Sequence, residues 1–277
     1  MKPIELKIKT ESQKYSIFIG SNIAFNILKF ADKKKINFKK CLLIIDSNIS
    51  NQIIKKIKKS LIKKKIYTYS FKATEINKNY DQVNKILNML LSKNFSRDDC
   101  LISVGGGITG DVAGFAASLF KRGLKFINVP TTLLSQVDSS IGGKTGINTR
   151  YGKNLIGSFY QPNLVISDIK FLKTLPKREL ICGYGEIMKH SLIASKKFYN
   201  FLNKNNKKIL NLSSPFIEKT IHESCKIKKN VIEKDEKEKG LRKILNFGHT
   251  FGHAYEASLS YSTRLNHGEA VILGMRS

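Results

Sequence analysis

Positions 4, 6 and 8 of the chain are apolar and alternate with polar neighbours, and residues 15–19 repeat the pattern after a polar turn. A period of two is that of a strand with one buried face, so a strand pair at a sheet edge is expected first. Residues 22–30 read as a short helix. Residues 41–45 (CLLII) are apolar without a break and end at Asp46, as in a strand buried on both faces. Helical spacing follows over 53–66, alternation over 67–71, and an amphipathic helix over 80–93. Short apolar runs return at 101–104, 126–129 and 164–167. Strand and helix thus alternate four times, which argues a Rossmann-like parallel α/β unit. Beyond Asp168 the period changes. Residues 180–194, 198–212, 216–232 and 244–259 all carry helical spacing, with Ser214 expected as an N-cap and Pro215 as the first helical residue. The expected division is an α/β domain over 1–169 and an all-α domain over 170–277.

The densest chemistry lies at two strand ends. The run ending at Val104 passes into Gly105, Gly106 and Gly107, and Gly110-Asp111 opens a helical segment. Glycines let backbone N–H groups approach a phosphate, and a following helix N-terminus adds a positive dipole. The spacing is neither G-x-G-x-x-G nor a Walker loop, so a tight turn between packed elements competes with a nucleotide-binding turn. The next strand end carries Thr131, Thr132, Gln136, Asp138, Ser139 and Ser140, then Gly142-Gly143, Lys144, Lys153 and Asn154. Ligands of open α/β sheets bind beyond the carboxyl ends of strands, and two adjacent polar ends fit that rule. Asp46 stands where a ribose-binding acid would, although such aspartates often only cap the next helix.

The helical half holds a second constellation. His249 and His253, four apart in NFGHTFGHAYEA, share a helix face, as do Glu186 and Lys189 in GYGEIMKH. Two histidines and a carboxylate with open positions describe a catalytic zinc site. The spacing alone allows Glu186 with any two of His190, His249, His253 and His267. His222 has no partner in sequence and reads as ordinary.

Composition changes this picture little. The chain has 277 residues, 41% of them hydrophobic, ample for a core. No apolar stretch reads as a signal peptide or membrane span, so a cytoplasmic location is expected. Cys41, Cys100, Cys182 and Cys225 lack disulfide or metal spacing and read as buried free thiols. The net charge of +28 raises nucleic-acid binding. However, the lysines are spread through Lys/Asn/Ile-rich stretches such as KKIKKSLIKKK, without interleaved aromatics, so attraction of small anions is the firmer consequence. DEKEKG at 235–240 reads as a charged solvent loop.

GGGITGDVAGFAAS, FKRG, VPTTLLSQVDSSIGGKTGIN and GKNLIGSFYQP resemble the 3-dehydroquinate synthase family, sugar-phosphate cyclases of the shikimate pathway, over about residues 72–275. The resemblance implies bound NAD, with Asp46, Glu75, Lys78, Gly107, Ile108, Thr109, Gly110, Asp111, Thr131, Thr132, Lys144, Lys153, Phe171, Leu172, Lys173 and Thr174 at cofactor positions. Glu75 and Lys78 keep the spacing of a Gly-Glu-x-x-Lys motif in which Thr74 replaces the glycine. It also implies Glu186, His249 and His267 as ligands of Zn2+, with Co2+ as an alternative. His253 then lies on the substrate side and His190 behind the ligands, while Gly185 stands where an alanine is usual. Lys144, Lys153, Asn154, Lys189, Lys228, Arg242, Asn246 and Asp138 align with positions that bind a phosphorylated sugar acid. Lys228 is the least secure, since several lysines of KIKKN compete for its role. The implied reaction converts 3-deoxy-D-arabino-heptulosonate 7-phosphate to 3-dehydroquinate and phosphate by transient oxidation, elimination, re-reduction and aldol closure. A homodimer is implied too, without nucleic acid or membrane as partner. Competing expectations are a cyclase making an inosose or valiolone, a metal-dependent polyol dehydrogenase releasing NADH, a basic binding protein without catalysis, and an inactive remnant. The last arises because family members continue past the helix after His267, where this sequence stops at Ser277.

Overall fold

A computed structural model describes residues 2–259 and 264–277. Strands β1 (Ile4–Lys9) and β2 (Lys14–Gly20) form the expected antiparallel pair, with β1 at the edge. A 3-10 turn, Ala24–Asn26, leads into α1 (Ile27–Lys33), so the helix expected over 22–30 is split and ends later. β3 (Lys40–Asp46), α2 (Asn51–Ser60), β4 (Lys65–Phe71), α3 (Tyr80–Ser92), β5 (Cys100–Gly105), α4 (Gly107–Leu119), β6 (Lys125–Pro130) and β9 (Leu164–Asp168) complete the α/β half. The strands lie in the order β1-β2-β9-β6-β5-β3-β4, parallel except at β1. β3, β5, β6 and β9 read as short, largely apolar runs where α-helices cover both faces. Ile57 of α2 packs with Phe18, Ile27 and Ile45 on one face, whereas Val83 and Ile86 of α3 pack with Leu42, Ile44 and α4 on the other.

The connection from β3 runs outward to β4, and the chain then returns across β3 to place β5 on its other side. The carboxyl ends of β3 and β5 therefore flank a topological switch point, where open α/β sheets leave a crevice. Asp46 and Gly105 end those two strands.

Three expectations are corrected. The helix expected over 53–66 stops at Ser60, because residues 61–64 turn (Lys64 N to Leu61 O, 2.8 Å) and Ile66 pairs with Cys41 in the sheet. The helix expected over 244–259 is broken into a 3-10 segment, Leu241–Asn246, and α8 (His249–Ser258). Gly248 separates them at φ +80°, a left-handed conformation, and any Cβ there would lie 2.6 Å from Met275 Cγ. Before α7 (Phe216–Ile232), Pro215 is itself the N-cap and no side chain caps the helix, so Ser214 is not the cap.

One element was not foreseen. β7 (Lys144–Thr149) and β8 (Gly152–Phe159) form a separate antiparallel hairpin. Its Gly- and Asn-rich sequence has low strand propensity and most of β8 is exposed, so no apolar period announces it. The helical half is α5 (Lys177–Ala194), α6 (Lys196–Leu210), α7, α8 and α9 (His267–Gly274). Its core is continuous with Leu6, Ile8, Ile17 and Ile19 of β1 and β2, which pack with Ile187, Phe198 and Ile221. All four cysteines are buried and free, and no helix among the described residues is long and apolar enough to cross a membrane.

Candidate active site

The glycine turn is built by its neighbours. A Cβ at Gly105 would lie 2.4 Å from Thr109 Oγ1, and one at Gly107 would lie 2.9 Å from Ser139 Oγ, so the two strand-end turns pack directly together. Thr131 N donates to Gly105 O (2.9 Å), and Thr132 Oγ1 accepts from Ser135 N (3.1 Å). α4 starts at Gly107 with no side-chain cap and no acid in its first turn. Its leading N–H groups, including those of Gly107, Ile108 and Thr109, remain available at the switch point. Gly110 packs on Asn128 one turn further on. Asp46 is half-buried, accepts from Asn48 N (3.0 Å), and has its pKa raised by burial.

Lys78 is buried, with Nζ 2.5 Å from both Asp111 Oδ2 and Asn154 Oδ1. Burial raises the Asp111 pKa, against the pull of Lys78. Glu75 accepts from Asn148 Nδ2 (2.7 Å), so the loop carrying both residues is fastened to the β7–β8 hairpin. Phe171 and Leu172 sit in a 3-10 turn after β9 with their side chains in the core, so only their backbones could meet a ligand; Lys173 and Thr174 are exposed.

A cavity of about 580 Å³ gathers Asp111, Asp138, Lys144, Asn154, Lys189, Lys228, Arg242, Asn246, His249, His253 and His267. They arrive from α4, the π-helical turn Ser135–Ser139, the hairpin, α5, α7, the segment before α8, α8 and α9. Lys228 is the lysine of KIKKN that points inward: its Nζ meets Asp138 Oδ1 (2.5 Å) and Asp138 O (2.7 Å). Lys226 is exposed, and Lys229 pairs with Glu233. Burial would raise the Asp138 pKa, but Lys228 and Lys189 overcome it and hold the carboxyl below the usual range. Arg242 is 2% exposed, with Nη2 donating to Gly142 O (3.0 Å) and its pKa lowered by burial. Glu238 holds Lys144 in an ion pair and accepts from Asn246 Nδ2 (3.1 Å).

Segment 235–240 is therefore more than a solvent loop. Asp235 accepts the Arg242 backbone N–H (2.9 Å), and buried Glu236 accepts from Ser12 N (2.9 Å) and Gln161 Nε2 (2.7 Å). Asp235 thus fixes the backbone turn that leads to Arg242, Glu236 ties the segment to Ser12 and Gln161, and Glu238 pairs with Lys144. The partners of Glu236, and Lys144 as the partner of Glu238, lie far along the chain, where no local pattern shows them.

Of the four histidines left open by spacing, the fold brings Glu186, His249 and His267 together, with one ligand atom from each within 4.8 Å of the others. His190 instead joins Asp138 and Glu186 from behind, its Nδ1 2.7 Å from Ser224 Oγ, and burial with Lys189 nearby pushes it down to about 3. Glu186 is 1% exposed; Lys189 forms an ion pair with it, yet neither carboxylate oxygen has a well-formed hydrogen bond among the described residues. Burial raises the Glu186 pKa and pushes His249 down to about 4, the latter leaving a neutral imidazole at pH 7. His253 and His267 are neighbours at 5.8 Å between ring centroids. Glu256, which was not foreseen, accepts from His267 Nδ1 (3.1 Å), and Lys153 Nζ stands 3.9 Å from its other oxygen. Burial alone would lower the His267 pKa, but Glu256 raises it. A third residue on the face of His249 and His253 was a legible sign, since Glu256 lies seven and three positions further along α8.

Residues 68–182 match the family profile described as 3-dehydroquinate synthase N-terminal, and residues 183–277 match 3-dehydroquinate synthase C-terminal. A 3-dehydroquinate synthase of Pelagibacter ubique is 66% identical over 274 residues, spanning 99% of this chain and 74% of the relative. Among solved structures, a 2-deoxy-scyllo-inosose synthase complexed with carbaglucose-6-phosphate, NAD+ and Co2+ superposes with a TM-score of 0.87 at 28% identity, covering 98% of this chain and 73% of that one. A 2-epi-5-epi-valiolone synthase from Streptomyces hygroscopicus with NAD+ and Zn2+ gives 0.85 at 25% identity, covering 96% and 74%. The fold is thus shared among cyclases, whereas both family profiles and the sequence identity point one way: the chain belongs to the 3-dehydroquinate synthase family.

Proposed function

We infer that this chain is a 3-dehydroquinate synthase, a lyase that takes 3-deoxy-D-arabino-heptulosonate 7-phosphate to 3-dehydroquinate and phosphate with NAD and a divalent metal. The observation that carries the reading is the meeting of Glu186, His249 and His267 in the cavity that also holds Lys144, Lys189, Lys228, Arg242 and Asn246.

The residues fit both cofactors. The buried Glu186 carboxylate has an ion pair with Lys189 but no well-formed hydrogen bond to either oxygen, which leaves it able to accept a metal, and His249 is held neutral, the form that ligates. The uncapped start of α4 at the β3/β5 switch point suits a dinucleotide pyrophosphate, with Asp46 placed for a ribose. When bound, the metal would polarise a substrate hydroxyl and NAD would take up and return a hydride, which makes NAD a recycled cofactor.

The chain's own groups bind and orient. Lys144, Arg242 and Asn246 supply cationic and amide donors for phosphate, and Lys189 and Lys228 supply charge for the carboxylate or developing negative charge in the same cavity. Asp138 and Asn154 face the same space as acceptor and amide for sugar hydroxyls. His253, beside the metal trio and less buried than His249, is placed to exchange a proton with the substrate. Lys153 and the Glu75–Lys78 loop shape the cofactor side. A homodimeric working form and a cytoplasmic location belong to the same proposal.

The deciding experiment measures phosphate released from the heptulosonate phosphate with NAD+, with and without a chelator. Chelator-sensitive release without net NADH supports the reading. NADH accumulation would replace it with a dehydrogenase, and measurable NAD and metal binding without release would leave a site that has lost its chemistry.

A further inference from the structure

Glu256 is buried on α8, on the same face as His249 and His253, and no substrate-facing role accounts for it. Its Oε2 lies 3.1 Å from Nδ1 of His267, the first residue of α9. Lys153 Nζ stands 3.9 Å from the second oxygen of Glu256. A carboxylate bonded to one nitrogen of an imidazole fixes the ring's tautomer and orientation and raises the basicity of the other nitrogen. With Nδ1 occupied in this way, Nε2 is the His267 atom left to meet Glu186 and His249. We propose that Glu256 is a positioning residue of the metal centre, holding His267 by Nδ1 so that Nε2 completes the trio with Glu186 and His249.

The arrangement has a second consequence. Lys153 belongs to β8 of the hairpin, so the Glu256 carboxylate stands between that hairpin and a metal ligand. The capping box of α9, in which Asn266 accepts from Glu269 N (3.1 Å) and Glu269 accepts from Asn266 N (3.0 Å), fixes the helix start on which His267 sits. His267 is thus held through its backbone by the cap and through its ring by Glu256. His253, Glu256 and His267 also offer three ligand atoms within 4.8 Å, an arrangement that would make Glu256 a ligand. It is disfavoured because it would leave the buried Glu186 carboxylate with its Lys189 ion pair alone and no well-formed hydrogen bond to either oxygen.

This inference rests on the metal centre proposed above, and the experiment separates the two. The metal-free 277-residue chain is titrated with Co2+ against a competing chelator, following the visible ligand-field bands, for the wild type, Glu256→Gln, Glu256→Ala, Glu256→Asp and His249→Ala. Glu256→Gln is expected to weaken Co2+ binding about tenfold and Glu256→Ala up to about a hundredfold, the range for second-layer partners, with band positions shifted only in Glu256→Ala. Glu256→Asp recovers part of the loss, and the melting temperature of the metal-free variants stays close to wild type, which separates positioning from a folding defect. Unchanged affinity in Glu256→Ala would overturn the proposal, as would a loss as complete as that of His249→Ala, which makes Glu256 a ligand. A wild type that binds no Co2+ would remove the metal centre and this role together.

Discussion

Glu186 is the residue on which the site turns, because its buried carboxylate has the Lys189 ion pair but no well-formed hydrogen bond, and so has room to ligate a metal. Glu186→Gln keeps the shape and removes the charge. It is expected to weaken metal binding by more than the roughly hundredfold limit for an outer partner and to lower phosphate release at least as far; equal metal affinity in the variant would show that the trio is not the metal site. Gly185, beside it, sets how closely α5 and α9 approach. A Cβ there would lie 2.8 Å from Ile272 Cγ1 and 3.2 Å from the backbone oxygen of Gly268. Gly185→Ala should therefore lower stability by about 1–3 kcal/mol, the usual cost of overpacking. Calorimetry would read this as a melting point lower by several degrees, and an unchanged one would mean that Ile272 yields freely. Spacing identified Glu186 and a shortlist of histidines, whereas choosing His249 and His267 by geometry needed the folded chain. His267 is eighteen residues beyond His249, and nothing local fixes their distance.

At the scale of elements, the β7–β8 hairpin ties the two halves of the site together. Lys78 reaches from the loop before α3 to Asp111 on α4 and Asn154 on β8, crossing three elements at one ammonium. Lys78→Met would leave Asp111 buried without its partner. The expected cost is about 3 kcal/mol, near the lower end for a broken buried pair, and pairing it with Asp111→Asn should recover much of that. Denaturant unfolding of the two single variants and the double variant checks this; strictly additive losses would show that the pair is not coupled. The parallel strands were legible as short apolar runs or alternation, and α3, α5, α6 and α7 because each buries a face with a clear period. The hairpin was not, since its strands are glycine-rich and β8 is largely exposed. Nor was the break at Gly248, where helical spacing continues on both sides and the turn is set by packing against Val271 and Met275 of α9 and its end.

For the whole molecule, charge and pH supply the tests. With 49 basic against 21 acidic side chains, the cavity sits in a positive field that draws phosphorylated substrates inward. The apparent KM for substrate should rise as salt goes from about 0.05 to 0.5 M, over which screening shortens the reach of the field several-fold, while kcat changes less. A salt-independent KM would confine recognition to direct contacts. His190 is buried with a pKa pushed down from its ordinary 6.5 to about 3, by burial and by Lys189. On acidification the unfolded chain takes up this proton first, so the stabilising contribution is complete above about pH 6.5 and is lost progressively toward pH 3. His249, pushed down to about 4, acts in the same direction. The metal-free protein should therefore melt at lower temperature as pH falls from 7 to 4, and His190→Gln should flatten that slope. An unchanged slope would assign the effect to other groups.

The sequence by itself determined the α/β-then-helical order, the glycine turn on a buried strand and the residue types of the site, because these follow from local period and from side-chain chemistry. It also carried the family, through long motifs whose order is preserved. Only the tertiary structure decided which histidines stand together, which lysine of KIKKN faces the cavity, that Glu256 lies behind His267, and that Glu236 holds Ser12 and Gln161 and Glu238 pairs with Lys144 instead of facing water. Those outcomes depend on distances between elements far apart in the chain. They are fixed by how buried apolar faces seat helix on sheet and helix on helix, which no local pattern encodes.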